Sequence, residues 1–178
     1  MFLNENIRRV ISDGREENCG ITYGGLMIKR IENKEEKEKI CMEVLEALPE
    51  WFEIPESRTS YAKESRNLPF FADVENDIAR GFIVMKETSH YTVEICVMGV
   101  KKEYHCLGIG SKLFEAFYQY AKEKGYEFIQ VKTVREGMYP DYDLTNAFYQ
   151  KVGFRELECM EGLWDEANPC QVYVMAVR

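Results

Sequence analysis

The chain alternates between two spacings of its apolar residues. Three stretches, 34–48, 108–124 and 144–152, repeat apolar residues every three or four positions, which is typical of amphipathic helices. Pro55 suits the first turn of a further helix over 55–66. Short apolar runs predict strands over 26–31, 70–74, 78–86, 91–100, 128–133, 154–160 and 171–177. The predicted order of elements is βααβββαβαββ.

Local signals mark the ends of these helices. Asn33 followed by Glu36 is a capping arrangement that opens the first helix, and Gly125 and Gly153 stand where C-cap glycines usually do. The spacing of apolar residues also predicts which side chains are buried. They are Ile109, Leu113, Phe117 and Ala121 in the third helix, and Leu144, Phe148 and Val152 in the fourth.

The chain reads as one α/β domain with an N-terminal extension. The strands over 70–74, 78–86 and 91–100 are joined by loops of hairpin length, which predicts an antiparallel meander. No linker or repeat divides residues 26–178. Residues 1–25 are interpreted as an extension, in which 7–11 has the pattern of a strand and 12–25 is polar and glycine-rich.

Composition narrows the class of protein. Of 178 residues, 46% are hydrophobic and 13% aromatic, which is far from the signature of a disordered chain. The formal net charge of -8 disfavours nucleic acid and anionic membranes as partners. No apolar run is long enough to span a membrane, and the first residues lack the apolar core of a signal peptide. We therefore expect a cytoplasmic protein.

Cysteine and histidine content disfavours two further kinds of site. The six cysteines are scattered without a CxxC pair, so we expect free thiols rather than disulfides. The two histidines, His90 and His105, stand at no metal-ligand spacing. We expect neither a bound metal nor a Ser-His-Asp hydrolase.

The most informative run is YTVEICVMGVKKEYHCLGIGSKL, over residues 91–113. It predicts a strand, a polar turn and then Gly108 and Gly110 at the start of a helix, an arrangement suited to phosphate because free N–H groups and the helix dipole attract anions. Lys101, Lys102 and Lys112 add positive charge nearby. Gly99 within the strand suggests a bulge that breaks its pairing and leaves backbone groups available to a ligand. An ordinary helix-opening turn is the alternative.

Two segments, VMGVKKEYHCLGIGSKL and TNAFYQKVGF, resemble the signature segments of the GNAT superfamily of N-acetyltransferases, in particular its bacterial small-molecule members. The resemblance covers nearly all of residues 26–177 and implies a mixed, mostly antiparallel, partly open sheet flanked by helices on both faces. It also implies acetyl-CoA as acetyl donor. The family motif Q/R-x-x-G-x-G/A matches residues 105–110, with His105 in place of the usual Gln or Arg.

The resemblance implies a set of residues that bind the donor. The turn would hold the pyrophosphate through its amides, and the preceding strand would lend its backbone to the pantetheine arm. These expected cofactor-binding residues are Met98, Gly99, Val100, His105, Cys106, Leu107, Gly108, Ile109, Gly110, Ser111, Asn146 and Tyr149.

Two residues are hypotheses for proton transfer. Tyr149 resembles the family tyrosine that donates a proton to the departing CoA thiolate, a task that suits a phenol. Glu94, on the same strand face as Cys96 and Met98, is the candidate base that deprotonates the acceptor ammonium. The alternatives are that Tyr149 is a core tyrosine and that Glu94 lies exposed or pairs with a lysine.

Acceptor recognition is expected from two segments, 48–66 and 134–142. Trp51, Phe52 and Tyr61 offer aromatic walls, and acidic residues around them suit a cationic amine. The second segment has the length of a mobile loop, and its Tyr139 and Asp141 are expected to meet the substrate ammonium. A small, cationic primary amine is therefore the expected partner, and family habit makes a homodimer reasonable.

Three alternatives remain open at this stage. Cys106 lies in the turn that opens a helix and is a conceivable nucleophile. The altered run His105-Cys106-Leu107 fits a non-catalytic acyl-CoA-binding or regulatory module. A protein or peptide amine is the third alternative, which requires an open groove.

Overall fold

The computed structural model describes residues 21–23 and 26–178, which form one open sheet with helices on both faces. The strands are β1 (Ile21–Tyr23), β2 (Leu26–Arg30), β3 (Phe70–Glu75), β4 (Ile78–Ser89), β5 (Thr92–Val100), β6 (Phe128–Val134), β7 (Arg155–Asp165) and β8 (Asn168–Ala176). The helices are α1 (Lys34–Glu46), α2 (Pro55–Ser65), α3 (Ile109–Glu123) and α4 (Pro140–Val152), with a short 3-10 turn at Lys102–Tyr104.

The sheet order is β1-β2-β3-β4-β5-β6-β8-β7, and every neighbouring pair is antiparallel except β5 with β6. This confirms the expected α/β fold with a mixed, mostly antiparallel sheet and helices on both faces. The predicted meander is β3, β4 and β5. Asn33 caps α1 as expected, because its side-chain oxygen accepts a 2.8 Å hydrogen bond from the Glu36 N–H.

The largest differences from the predicted boundaries concern β1, α4 and the pair of strands β7 and β8. Strand β1 lies in the segment interpreted as an extension and pairs with β2, so the sheet begins before residue 26. Helix α4 begins at Pro140 rather than 144, because Pro140 fits the first turn and shortens the expected loop. Strands β7 and β8 extend into 161–170, where Pro169 is tolerated because β8 pairs with β6 only from Cys170 onward. Residues 7–11, the other predicted strand, lie outside the described residues.

Each face of the sheet carries its own hydrophobic core. On one face, α3 packs its predicted stripe against the sheet, and Ile109, Leu113, Phe117 and Ala121 are all fully buried. On the other face, α1, α2 and the segment between them cover the meander strands through Ile40, Cys41, Val44, Leu45, Leu48 and Ala62. Strands β3 to β5 are therefore covered on both sides, which fixes the base of the site.

The buried face of α4 is not the apolar stripe that the sequence predicted. Leu144 is 66% exposed, whereas Asn146 and Tyr149 are the buried residues of this helix. Phe148 and Val152 are only partly buried. The expectation was wrong because polar side chains with internal hydrogen-bond partners occupy the inward face, and an apolar residue can stay exposed at little cost.

Strands β5 and β6 share hydrogen bonds over a short length. The parallel register pairs Thr92 with Phe128 and ends where Glu94 meets Gln130. Beyond that point β5 remains paired with β4 through Val100, and β6 remains paired with β8 through Val134. The two strands therefore separate, and a cleft opens between them.

The predicted bulge occurs at Cys96 rather than at Gly99. Val84 pairs with Val97 and Met85 with Ile95, which leaves Cys96 unpaired, while Gly99 pairs regularly with Phe82. Because a bulge reverses the alternation of side chains, Glu94 and Cys96 share the α1/α2 face and Met98 belongs to the opposite core. The expectation that Glu94 and Met98 share a face was therefore wrong.

Cys41, Cys96, Cys106, Cys159 and Cys170 are all free thiols, as expected for these five. Across residues 21–23 and 26–178, no helix is both long and apolar enough to cross a membrane.

A buried ion pair joins the meander to the turn that follows β5. The Arg80 guanidinium donates two hydrogen bonds to the Asp73 carboxylate, at 3.1 and 3.0 Å, and lies 5.8 Å from the centre of the Tyr104 ring. Asp73 is 1% exposed. The Arg80 carbonyl also accepts a 2.9 Å hydrogen bond from the Lys101 N–H. Arg80 thus supports both ends of the turn over 101–104.

We predict that Arg80→Met lowers the free energy of unfolding by about 3 kcal/mol, because it leaves the Asp73 carboxylate buried without its cation. Urea unfolding measures the change. Arg30→Met is the matched control, since the Arg30–Glu32 pair is 45% and 69% exposed, and we expect a loss below about 1 kcal/mol there. Equal losses in the two variants would contradict the prediction.

Candidate active site

The turn between β5 and α3 leaves backbone N–H groups without intrahelical partners. Gly108 precedes α3 with φ +85° and provides no side chain to cap it. The first helical bond on this side runs from the Lys112 N–H to the Gly108 carbonyl at 3.1 Å. The N–H groups of Ile109, Gly110 and Ser111 therefore lack the intrahelical acceptors that later residues have. No acidic residue stands in this first turn, so the helix dipole is available to an anion.

The residues before Gly108 form an exposed turn. His105, Cys106 and Leu107 are all exposed, and Cys106 has φ +62° although it is not a glycine. The turn thus displays backbone groups rather than a cluster of basic side chains. These features fit the pyrophosphate of acetyl-CoA, held through amides and the helix terminus.

Backbone groups of β5 face the cleft. The Lys101 N–H bonds to β4, and in an antiparallel ladder hydrogen-bonded pairs alternate with non-bonded ones. Gly99 is therefore bonded to β4, while the N–H and C=O groups of Met98 and Val100 point toward the gap beside β6. The Val100 carbonyl accepts a hydrogen bond from Nε2 of His105, at 2.7 Å. His105 is thus a direct neighbour of the predicted pantetheine path.

Helix α4 approaches the start of α3 closely. A Cβ on Gly110 would lie 3.3 Å from Cε2 of Phe148 and 3.5 Å from Cε of Met98. Gly110 therefore allows α3, α4 and β5 to meet at one point. This contact places the middle of α4 across the cleft from β5.

Tyr149 lies in the core next to this contact. Its ring packs against Phe148, Phe154 and Tyr173, with centroids 5.6, 5.7 and 6.3 Å away. Burial raises the pKa of Tyr149 above its ordinary value, with a smaller contribution from Tyr142. Within the described part of the chain, its hydroxyl has no hydrogen-bond partner. The Tyr149 phenol is therefore neutral, and its O–H is not used by another group of these residues.

Asn146 is placed differently from the expectation of cofactor contact. It is 0% exposed, and its amide nitrogen donates to the Val134 and Tyr142 carbonyls at 3.0 and 2.7 Å. Its Oδ1 accepts a 2.9 Å bond from the Tyr173 hydroxyl. Asn146 therefore ties α4 to the end of β6 and to Tyr173 within β8, and all of its described hydrogen bonds are made inside the protein.

Glu94 lies at the point where β5 and β6 separate, on the face opposite the Met98 side chain. Its Oε2 accepts a 2.7 Å hydrogen bond from Nε2 of Gln130 and a second, short one from the Lys132 ammonium. The alternative that Glu94 pairs with a lysine is confirmed, and Lys132 is that lysine. Gln130 and Lys132 were not identified from sequence, because their place beside Glu94 depends on the pairing of β5 with β6, which a local pattern does not show.

The α2 helix supplies further groups beside Glu94. Glu64 forms an ion pair with Lys86 at 2.6 Å, and it accepts a 3.7 Å hydrogen bond from the Cys96 thiol. Burial raises the pKa of Cys96 to about 12, and the Glu64 carboxylate acts in the same direction. This thiol is therefore protonated at neutral pH and is no nucleophile.

Trp51 joins three parts of the site. Its indole N–H donates to Oγ1 of Thr145 on α4 at 3.1 Å, and its carbonyl accepts a 3.2 Å bond from the Tyr142 hydroxyl. The Lys102 ammonium lies 5.5 Å from its ring centre, and the His105 ring lies 6.4 Å away. Trp51 therefore connects the α1–α2 segment, the turn between β5 and α3 (residues 101–108) and α4, a role beyond the predicted aromatic wall.

The remaining predicted substrate residues lie around this connection. Phe52 is half-buried and packs edge-on against Tyr61 at 6.1 Å. Tyr139 is 39% exposed and donates a 3.3 Å hydrogen bond to the Ala167 carbonyl. Asp141 is half-buried in the first turn of α4. Trp51 and Phe52 thus lie on one side of the cleft mouth, and Tyr139 and Asp141 belong to the segment after β6.

In residues 21–23 and 26–178, no three His, Cys, Asp or Glu side chains are grouped closely enough to hold a metal ion.

Comparison with known proteins gives one family and many similar structures. A family model described as an acetyltransferase (GNAT) domain matches residues 66–156, which is just over half of the chain. A comparison with curated protein sequences gave no match.

Three solved structures illustrate the likeness of fold. A protein from Desulfovibrio desulfuricans that is described as an acetyltransferase of the GNAT family matches with TM-score 0.75 and 16% identity. The match covers 86% of this chain and 99% of that one. An aminoglycoside 6'-N-acetyltransferase complexed with coenzyme A gives TM-score 0.71 and 16% identity over 85% and 97%. The protein yncA from Salmonella typhimurium, described as an acetyltransferase and solved with acetyl-CoA, gives TM-score 0.66 and 15% identity. This match covers 86% of this chain and 94% of that one.

We predict that Ser111→Glu weakens binding of coenzyme A at least about tenfold, because the new carboxylate would face the phosphates at close range. The same substitution should leave the melting temperature unchanged or raise it, since acidic residues favour helix N-termini. Isothermal titration calorimetry and thermal unfolding measure the two effects. Ser111→Gln is the matched neutral control, and an equal loss of affinity there would contradict the electrostatic explanation.

Proposed function

This chain belongs to the GNAT acetyltransferase family, and on that premise we propose that it transfers the acetyl group of acetyl-CoA to a primary amine of a small molecule. The acetyl-CoA-dependent N-acetyltransferase activity predicted from the sequence is confirmed at the level of the family. The observation that carries the specific proposal is the cleft between β5 and β6. It has an uncapped helix terminus at one end and Glu94 at the other, with Tyr149 across from β5.

The donor fits this cleft by length and by chemistry. The pyrophosphate would be held by the N–H groups of Ile109, Gly110 and Ser111, and the pantetheine arm would follow β5 toward Glu94. The stretch 95–100 spans roughly 20 Å, a length comparable to an extended pantetheine arm. The Met98 and Val100 backbone groups would then act as partners along its path.

The proposed reaction needs three proton transfers. The acceptor ammonium first loses a proton to Glu94, directly or through water, because only the free amine has a lone pair. The amine nitrogen then attacks the thioester carbonyl carbon, so that a C–N bond forms and the C–S bond breaks, and the nitrogen gives up a second proton to water to become the neutral amide. Tyr149 donates its proton to the departing sulfur, and solvent restores the phenol. No covalent acyl-enzyme is required.

The acceptor would enter from the α1/α2 side. Glu94, Cys96 and the α2 residues Tyr61 and Glu64 belong to this side of β5. The acidic segment before α2 gives only partial support for a cationic acceptor. Glu50 in this segment is already ion-paired with Lys102 at 2.5 Å, so its charge is not free for a substrate. A small amine is supported by the connection that Trp51 makes across the cleft mouth, which narrows access.

The test is mass-spectrometric detection of acetyl transfer from acetyl-CoA to a panel of spermidine, kanamycin, free amino acids and a short peptide. Acetylation of a small amine supports the proposal. Acetylation of the peptide alone would replace the small-molecule acceptor with a peptide. If coenzyme A binds by calorimetry and no amine is acetylated, a non-catalytic binding module becomes the better explanation.

We predict that Tyr149→Phe lowers kcat roughly a hundredfold or more, because the variant has no proton for the departing thiolate. The KM for acetyl-CoA should change little, since the ring and its packing remain. Burial raises the pKa of Tyr149 above its ordinary value of about 10. Loss of its proton should therefore produce no basic limb in the pH–rate profile of the wild type below about pH 10. Tyr118→Phe, on the far side of α3, is the control. An unchanged kcat in Tyr149→Phe would remove this residue from the mechanism.

A further inference from the structure

The Glu94 carboxylate is held from one side only. Gln130 and Lys132, two residues apart on β6 and so on one face of the strand, both donate to its Oε2. No donor in residues 21–23 and 26–178 hydrogen-bonds to Oε1. One oxygen is therefore fixed by two donors, and the other keeps its lone pairs for an incoming group.

This arrangement lies at the narrow end of the cleft. Glu94 and Gln130 form the last residue pair between β5 and β6, and Lys132 is the next residue along β6 on the same face. Glu94 is 16% exposed and Lys132 is 29% exposed at the side chain, so both are accessible from the opening. The two donors therefore bridge the strands at the point where the proposed arm would end.

Lys132 is paired with Glu94, whereas the other lysine beside Glu94 is paired with a different carboxylate. Lys86, which stands beside Glu94 on β4, is bonded to Glu64 of α2 instead. Other titratable groups act on or near Glu94 from each surrounding element: Lys86 on β4, Cys96 on β5, Tyr61 and Glu64 on α2, Lys132 on β6 and Cys170 on β8. Of these, Lys132 is the cation in hydrogen-bond contact with the Glu94 carboxylate.

We propose that Lys132, together with Gln130, is a positioning residue for acetyl transfer, which fixes Oε2 of Glu94 and leaves Oε1 free to accept the proton of the acceptor ammonium. The inference rests on the proposed function. In the step concerned, an N–H bond of the ammonium breaks and an O–H bond forms on Oε1, which leaves a free amine and a neutral carboxyl. The proton then passes to water. A base oriented by a third group is a common arrangement in active sites.

A double-mutant cycle tests the inference. Lys132→Met, Glu94→Gln and the double variant are compared by kcat, using acetyl-CoA and the panel amine that the wild type acetylates fastest. We expect Lys132→Met to lower kcat by about tenfold or more in the wild-type background and by less than about twofold in the Glu94→Gln background. The KM for acetyl-CoA should stay constant, because Lys132 lies away from the turn between β5 and α3. If Lys132 had only a structural role, Lys132→Met would lower kcat by the same factor in both backgrounds.

Further variants guard against misfolding. Lys132→Arg retains the cation and should keep kcat within about threefold of the wild type, while Gln130→Met should show the same dependence on Glu94 as Lys132→Met. Lys29→Met, at an exposed position on β2, is the matched control and should leave kcat unchanged. Thermal unfolding is measured for each variant.

The two levels of the proposal fail in different ways. An active wild type in which the losses from Lys132→Met and Glu94→Gln simply multiply, or in which Lys132→Met keeps full kcat, overturns the role of Lys132 alone. A wild type that acetylates no amine of the panel overturns the proposed function, and the role of Lys132 falls with it. If the losses of kcat from Lys132→Met and Glu94→Gln are non-additive and Lys132→Arg keeps kcat, both the proposed function and the role of Lys132 are supported.

Discussion

Strands β5 and β6 share parallel hydrogen bonds over only three residue pairs, and the rest of the site depends on where that pairing ends. Each strand keeps its other neighbour, β4 or β8, so the separation leaves the sheet intact and costs few backbone partners. The cleft that results has backbone N–H and C=O groups along one wall. Cores on both faces of β5 hold this wall in place, because a strand packed on two sides has little freedom to close the gap.

The bulge at Cys96 divides the functions of β5 between its faces. Before the bulge, Glu94 belongs to the α1/α2 face, and after it Met98 belongs to the α3/α4 face. The proposed base and the donor path can therefore lie on one strand without competing for the same space. A regular strand would have placed both side chains on one face, and the proton acceptor would then lie among the core residues around Tyr149.

The sequence predicted those features that depend on local spacing. The stripe of α3, the cap at Asn33 and the meander of β3 to β5 follow from periodicity and turn composition, and all three are present. The position of the bulge was predicted wrongly, because it depends on the register between strands rather than on the glycine itself. The inward face of α4 was missed for a similar reason, since Asn146 is buried only because Val134, Tyr142 and Tyr173 supply its partners. Lys132 and Gln130 follow from the pairing of β5 with β6, which no local pattern reveals.

The hydrogen bond between His105 and the Val100 carbonyl has a consequence for ligand affinity. The Val100 carbonyl already has a hydrogen-bond donor in the free protein. A ligand donor that takes the place of His105 therefore does not satisfy an acceptor that was empty before. Contact at this point is an exchange of one partner for another, and such exchanges contribute little net free energy. The Val100 carbonyl would then add little to the affinity for the donor, whereas the backbone groups of Met98 and the free amides of α3 would contribute to it. Contact with Val100 would instead serve to place the arm, so that a change in the arm at this point would alter turnover more than binding.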